Sequence, residues 1–403
     1  MVTRPAIRRL FCAALLGVLP LAASIPATGA VATGSQFHGL FDARQSASSD
    51  SYTPAQIEAA YNIAPLQQAG VIGTGQTIGL VEFDSFRLAD IHRFDAANQL
   101  PDPAIQKTYV GGSSFALAHS GEATMDLEWA HAMAPGAALH VYFIDGNESN
   151  RAGWKSVAQA VAQAVTDGDG AMSMSFGACK PDSGYQVLRN ALATARTQGL
   201  SVFVSSGDSG AFPGPKKTCG KSIGVSYPGS DPSVVSVGGT SLLLNTDGSI
   251  ASESAWALSG GGKGKPLTRP AWQVAPQLHT GKYRWVPDVS FLADVNTGVE
   301  VFYHGRWVQA GGTSLGAPAW AGIWSLLRQS AQSAGKALPA APATIYQIAN
   351  SPAYLQSFHD IVTGDNGKYL AGPGWDPVTG WGTPNVAGLV ATITGTVAPA
   401  PAS

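Results

Sequence analysis

Five apolar runs, near residues 77–82, 138–143, 171–176, 201–205 and 234–237, alternate along this chain with five helical patterns, near 87–98, 122–134, 153–166, 186–198 and 316–330. Strands that alternate with helices fold as a mostly parallel sheet covered by helices on both faces, with right-handed crossovers. The fold class expected is therefore α/β. Residues 51–395 are a long run for one core, yet no composition break divides them, and no internal repeat appears. They are read as a single domain, opened by a helix at Tyr52-Thr53-Pro54-Ala55-Gln56-Ile57-Glu58-Ala59-Ala60-Tyr61.

Within that frame, Gly311-Gly312-Thr313-Ser314-Leu315-Gly316-Ala317-Pro318 looks like a mount for a nucleophile. Two glycines let the backbone pass closely and adopt angles closed to other residues. The following Ala317–Leu327 stretch reads as a buried helix with Pro318 in its first turn, where a missing N–H costs little. Ser314 then lies where loop becomes helix, near the positive end of the helix dipole. A serine needs such a setting and a nearby base before it acts as a nucleophile. The plainer alternative is that Thr313 and Ser314 only cap a helix.

Histidine is the obvious base, but none of the eight histidines lies in the His-Gly-Thr-His context that subtilisin-type hydrolases use. At the corresponding place in chain order stands Ser120-Gly121-Glu122-Ala123-Thr124-Met125-Asp126-Leu127-Glu128-Trp129-Ala130. Met125, Trp129 and Met133 recur at helical spacing, and Ala134-Pro135-Gly136 is a stop. Glu122 and Asp126, four apart, share one face of that helix. Two stacked carboxylates repel when both are ionised, which raises the pKa of the pair and favours a shared proton. Such a pair can accept a proton from a serine hydroxyl under acid conditions. Taken alone, a Glu-x-x-x-Asp pair is also an ordinary solvated acidic face. His119, three residues before Glu122, is the one histidine that competes with it for the role of base.

Ser205-Ser206-Gly207-Asp208-Ser209-Gly210 follows the apolar run Leu200–Val204. It reads as a strand end entering a Gly-rich turn, where open parallel sheets place site residues. Asp208 could stabilise an oxyanion only when protonated, since an ionised carboxylate has no proton to donate. By itself it reads first as an Asx-type turn residue.

Together these motifs resemble the sedolisin family, the serine-carboxyl peptidases: a Gly-Glu-x-x-x-Asp helix, a Ser-Gly-Asp-Ser-Gly turn and Gly-Thr-Ser-x-x-x-Pro, in that order. The resemblance implies a subtilisin-like fold and an acid-active, secreted endopeptidase. Ser314 is then the nucleophile, Glu122 its general base, Asp126 the group that orients Glu122, and Asp208 the oxyanion-hole acid. Glu82, at the end of the run Thr77–Val81, falls where some members place a further carboxylate, with Asp84 close by. Arg284-Trp285-Val286-Pro287-Asp288-Val289-Ser290 matches a family segment read as structural support. The resemblance also implies one structural Ca2+ ion. Its ligands would be the carboxylates of Asp360 and Asp376 and the carbonyls of Ile361, Gly372 and Gly374. Calcium takes six or more oxygens, and a Gly-rich loop between two aspartates can supply carboxylate and carbonyl alike. The two aspartates are closer in sequence than in some relatives, which makes Asp365 a further candidate. Amino-terminal tripeptide removal is an alternative activity within the family, and peptide binding without catalysis is an alternative outside it.

The termini and composition point to export. Arg4, Arg8 and Arg9 precede the apolar stretch Leu10–Leu21, and small residues follow to Ala30. Residues 1–30 read as a signal peptide, too short and wrongly flanked for a spanning helix, so the expected location is extracellular or periplasmic, with no membrane association after signal removal. Residues 31–50 read as a linker and 396–403 as a disordered Pro/Ala tail. Family members generally carry a long N-terminal pro-domain. With only residues 31–50 ahead of the catalytic start, the expected form lacks it. Removing three of the 24 Lys and Arg with the signal leaves 21 against 26 Asp and Glu. So sparse and mildly acidic a chain has no electrostatic reason to bind nucleic acid. Its expected partners are protein or peptide substrates, and it is expected to be a monomer. Once Cys12 has left, Cys179 and Cys219 remain. An isolated pair in an exported protein reads as a disulfide tying two loops beside the Asp208 turn, the rival being a reactive thiol.

Overall fold

At the centre of the molecule lies the strand Thr77–Glu82 (β1), whose side chains alternate between two apolar clusters. Ile78 and Leu80 belong to the cluster that holds Met125, Trp129, Trp320 and Trp324, and Val81 to the one that holds Val157, Val161 and Leu188. A strand buried on both sides needs apolar residues at successive positions, which is why the five runs are legible in the sequence. The computed structural model describes residues 37–38, 42–45, 51–111, 118–144, 151–179, 184–278 and 281–396. All of these belong to one unit that begins at Ser35. The signal peptide read at 1–30, most of the 31–50 linker and the tail after Thr396 lie outside the described residues.

Chain order continues with Leu88–Asn98 (α1), Ile105–Tyr109 (β2), Gly121–Met133 (α2), Ala138–Phe143 (β3), Arg151–Asp167 (α3), Ala171–Met174 (β4), Tyr185–Thr197 (α4) and Ser201–Ser205 (β5). Val235–Leu244 (β6), Ile250–Ala255 (β7), Val289–Leu292 (β8) and the long helix Thr313–Ser333 (α5) complete the frame. The sheet has eight strands in the order β7-β6-β5-β4-β1-β3-β2, with β8 also paired to β6. Every pairing is parallel except β7 on β6. The α/β reading holds, with α2 and α5 packed on one face and α3 and α4 on the other.

The sheet is wider than the apolar runs alone indicate. β2, Ile-Gln-Lys-Thr-Tyr, has exposed or half-buried positions throughout, and β7, Ile-Ala-Ser-Glu-Ser-Ala, is nearly as wet. Edge strands need no apolar run. β6 continues through Gly238 and Gly239, beyond the run read at 234–237. A Cβ on Gly238 would lie 2.7 Å from Pro287 Cγ and 2.8 Å from Ser290 Oγ, so the absent side chain is what admits the 287–290 segment beside the strand. The segment Arg284–Ser290 supports the structure, as its sequence suggests. Arg284 and Asp288 form a fully buried pair, with Arg284 Nη1 2.8 Å from Asp288 Oδ1 and the guanidinium over Trp272.

Candidate active site

The nucleophile mount opens a helix, but the helix starts earlier than its sequence pattern indicates. α5 begins at Thr313, directly after Gly312 at φ 105°. Pro318 therefore stands inside the helix rather than in its first turn, where it removes the amide that would bond the Ser314 carbonyl. The Ser175 hydroxyl, just beyond the end of β4, lies 3.2 Å from that carbonyl and can donate to it instead, its single proton alternating between this acceptor and Asp126. Residues 313–327 are buried throughout. Two glycines permit this depth. A Cβ on Gly316 would lie 2.7 Å from Val237 Cγ1, and one on Gly322 would lie 2.7 Å from Met133 Cβ. The second of these close approaches brings α5 against α2, and with it Ser314 against Glu122.

α2 is capped by Ser120, whose hydroxyl accepts from Ala123 N at 3.2 Å. All its residues except Glu122 are buried, the ionisable Asp126, Glu128 and His131 included, so the core encloses this helix on every side. Glu122 has a partly exposed stem, yet both carboxyl oxygens are shielded from solvent and lack a well-formed hydrogen bond. The Ser314 hydroxyl approaches this carboxyl and favours its charged form. The geometry stops short of a closed hydrogen bond, and the same hydroxyl lies 3.5 Å from the Ser175 carbonyl. Burial, and after it the charge of Asp126, pushes Glu122 well above the usual carboxylate range. Burial pushes Asp126 up to about 8, opposed by hydrogen bonds from Ser175 and Glu82. Ser175 Oγ is 2.5 Å from Asp126 Oδ2. Glu82, at the end of β1, is also raised, first by burial and then by Asp126 and Glu122. Ser314, Glu122, Asp126 and Glu82 thus form one buried line in which burial and the neighbouring charges favour the protonated carboxyl groups.

Asp208 reaches the same place from the turn after β5. Its Oδ1 accepts from Thr313 N at 2.9 Å and from Thr313 Oγ1 at 2.6 Å, while Gly207 N donates to Thr313 Oγ1 at 3.0 Å. Asp208 is therefore bonded across to the nucleophile helix. Asp84, the neighbouring candidate, is partly exposed and acts on Glu82 and Glu122 only through its charge. His119 is exposed on the rim, its ring edge-on to His304 at 6.4 Å.

Sequence reasoning overlooked Ser175 and Thr313. Ser175 had a readable signal, because it follows an apolar run at the carboxyl end of a parallel strand. Thr313 had none until Asp208 was seen to reach it. Cys179 and Cys219 are bridged, with Cα atoms 5.3 Å apart, which excludes the free-thiol reading.

The C-terminal loop offers oxygens only. Asp360 accepts from Gly374 N at 3.0 and 3.1 Å, and Asp376 from Gly372 N at 3.4 Å, so the two aspartates embrace the same short Gly-rich segment. No backbone hydrogen bond among the described residues ends on the carbonyls of Ile361, Gly372 or Gly374. Burial lifts Asp376 to about 6, the state of a carboxylate lacking a counter-charge. Asp365 is exposed and accepts from Gly367 N at 2.8 Å within its own turn. Two carboxylates and three uncommitted carbonyls fit a calcium ion, although no group of three His, Cys, Asp or Glu among the described residues could hold a metal through side chains alone.

Residues 108–382 match the model of the subtilase family. Sedolisin of Pseudomonas sp. (strain 101) is 33% identical over 345 residues, covering 79% of this chain and 57% of the relative. Kumamolisin of Bacillus sp. (strain MN-32) is 31% identical over 377 residues, 86% of this chain and 64% of the relative. The chain thus spans less than two thirds of the length of these two curated relatives. The solved structure of Pseudomonas sedolisin, a serine-carboxyl proteinase complexed with two molecules of pseudo-iodotyrostatin, aligns with a TM-score of 0.76 at 30% identity. That alignment covers 87% of this chain and 99% of the solved one. With its serine, its paired carboxylates and its turn aspartate brought to one place on this fold, the chain belongs to the sedolisin family of serine-carboxyl peptidases.

Proposed function

We propose that this chain is a secreted, acid-active endopeptidase that cleaves peptide bonds through an acyl-enzyme on Ser314. The observation that carries the reading is the approach of the buried Ser314 hydroxyl to Glu122, a carboxyl otherwise without a partner and backed by Asp126. In acylation Glu122 takes the Ser314 proton while Oγ attacks the scissile carbonyl carbon, and the carbonyl π electrons move onto oxygen. Asp126 orients Glu122 and takes up part of the proton it receives. Asp208 in its acid form donates to the oxyanion. Its Oδ1 accepts from both donors of Thr313, which fixes the orientation of the carboxyl group. Collapse of the tetrahedral intermediate breaks the C–N bond, and Glu122 protonates the departing amine. Water then enters by the same route, losing its proton to Glu122 and releasing Ser314.

Calcium, when bound by Asp360, Asp376 and the carbonyls of Ile361, Gly372 and Gly374, would supply positive charge that holds the C-terminal loop and would take no part in the chemistry. Export rests on the signal-like residues 1–30. Among the described residues no helix is long and apolar enough to cross a membrane.

Removal of tripeptides from amino termini is the second reading, favoured by the 31% identity to human tripeptidyl-peptidase 1 over 229 residues, 52% of this chain and 40% of that one. Mass spectrometry of the products from an unstructured protein separates the two. Internal fragments that disappear with Ser314→Ala support endopeptidase action, and a ladder of tripeptides supports the second reading. Products that persist with Ser314→Ala overturn both.

A further inference from the structure

We propose that Asn366 is a positioning residue of the catalytic site, gripping from the C-terminal loop the turn that carries Asp208; this rests on the reading of Asp208 as the oxyanion donor. Asn366 is 2% exposed and all its hydrogen-bonding groups are engaged. Its backbone N–H donates to Tyr369 O at 3.1 Å, and its Oδ1 accepts from Tyr369 N at 3.0 Å. Its Nδ2 donates to Ser259 O at 3.2 Å, and its carbonyl accepts from Ala211 N at 3.1 Å.

The turn at 207–211 is bonded by three backbone contacts to segments far along the chain. Gly260 N donates to Gly207 O at 2.7 Å, Gly210 N donates to Leu258 O at 2.8 Å, and Ala211 N donates to Asn366 O. Residues 258–260 therefore hold the turn on both sides of Asp208, at Gly207 and Gly210, and Asn366 holds it next to the second of these, at Ala211. The Asn366 side chain joins the two holds through Ser259. The contact leaves no slack: a Cβ on Gly210, at φ 60°, would lie 2.5 Å from the Asn366 carbonyl oxygen. Thr313 fixes the carboxyl of Asp208, but where its backbone stands depends on this clamp. An oxyanion donor acts only within narrow limits of distance and direction, and a misplacement of about 1 Å can cost on the order of a hundredfold in rate.

The test compares the mature enzyme with Asn366→Ala, Asn366→Asp and Asp208→Ala for kcat, KM, melting temperature and affinity for a peptide aldehyde, whose adduct with Ser314 places oxygen at the oxyanion position. Asn366→Ala is expected to lower kcat by about tenfold to a hundredfold. KM should stay within about threefold, with aldehyde affinity falling in step with kcat. Asn366→Asp is isosteric and can donate to Ser259 O only while protonated. Relative to wild type it should keep its kcat in strong acid and lose it as the pH rises. It also keeps the test open if the alanine variant does not fold. A lowered melting temperature with kcat per folded molecule, KM and aldehyde affinity all unchanged would overturn the proposal. Full activity in Asp208→Ala would instead overturn the oxyanion reading beneath it. An impaired Asp208→Ala beside an unimpaired Asn366→Ala would remove the inference about Asn366 alone.

Discussion

Pro318 stands four residues after Ser314 in the same helix, so the Ser314 carbonyl has no helical amide and receives the Ser175 hydroxyl at 3.2 Å. That hydroxyl also lies 2.5 Å from Asp126 Oδ2, and its one proton alternates between the two acceptors. The proline thus links the backbone of the nucleophile to the carboxylate line behind its base. Ser175→Ala is expected to leave a buried carbonyl unsatisfied, at a cost of about 1–3 kcal/mol in urea unfolding. It also removes a donor that favours ionised Asp126, so the pH at which the Glu122–Asp126 pair acquires its charge moves up. The acid limb of kcat/KM should move with it. An unmoved limb would show that Ser175 serves only the helix.

Substitutions at Asp208 separate two ways of supplying the oxyanion bond. Asp208→Ala is expected to lower kcat by about 10²–10³-fold with KM little changed. Asp208→Asn keeps a donor at every pH, so its activity should extend to higher pH than that of wild type. Parallel pH profiles for the asparagine variant and wild type would count against a protonated Asp208.

Stability should fall as pH rises, the reverse of ordinary acid denaturation. Burial raises Asp126 to about 8 and Asp95 and Glu58 to about 7, and lifts Glu82, Glu122 and Glu128 as well. Between the unfolded carboxylate pKa near 4 and these folded values the native state binds more protons than the unfolded one. The stability these groups contribute is therefore complete below about pH 4 and is lost as pH climbs through roughly 7–8. Calorimetry on Ser314→Ala, which cannot digest itself, is expected to show a melting temperature lower at pH 8 than at pH 4 by on the order of 10 °C. A higher melting temperature at pH 8 would contradict the buried carboxylate line.

Chelation tests the C-terminal loop. Removing calcium should lower the melting temperature, and restoring it should return the loss. Asp360→Ala and Asp376→Ala should melt at the chelated value and no longer respond to calcium. The loop also reaches the active-site frame, since Val378 N donates to Asp376 Oδ1 at 2.8 Å and Ser259 Oγ donates to Val378 O at 2.7 Å. Identical melting with and without chelator would remove the metal from the account.

What the sequence made legible was what apolar burial and short-range spacing govern. Thr77–Glu82, Ala138–Phe143 and Ser201–Ser205 form strands at the positions their apolar runs indicate, because a strand buried on both faces must be continuously apolar. Glu122 and Asp126 could be assigned to one helical face because four residues make about a turn. The bond from Asp208 to Thr313 was not legible, since two segments 105 residues apart meet only through the sheet. The hairpin of Val299–Tyr303 and Arg306–Gly311 was missed although it carried a signal. His304 and Gly305 both take positive φ, 52° and 78°, the primed turn that a Gly-containing pair between two strands invites.

The most direct test of the central claim is hydrolysis of an unstructured protein by the purified mature chain from pH 2.5 to 8, beside Ser314→Ala and Glu122→Gln. The account predicts cleavage that peaks well below pH 6, is abolished by Ser314→Ala and falls at least a thousandfold, on the order of the loss of a triad base, in Glu122→Gln. Full activity at pH 8, or a Glu122→Gln variant that cleaves as fast as wild type, would contradict a carboxylate base for Ser314.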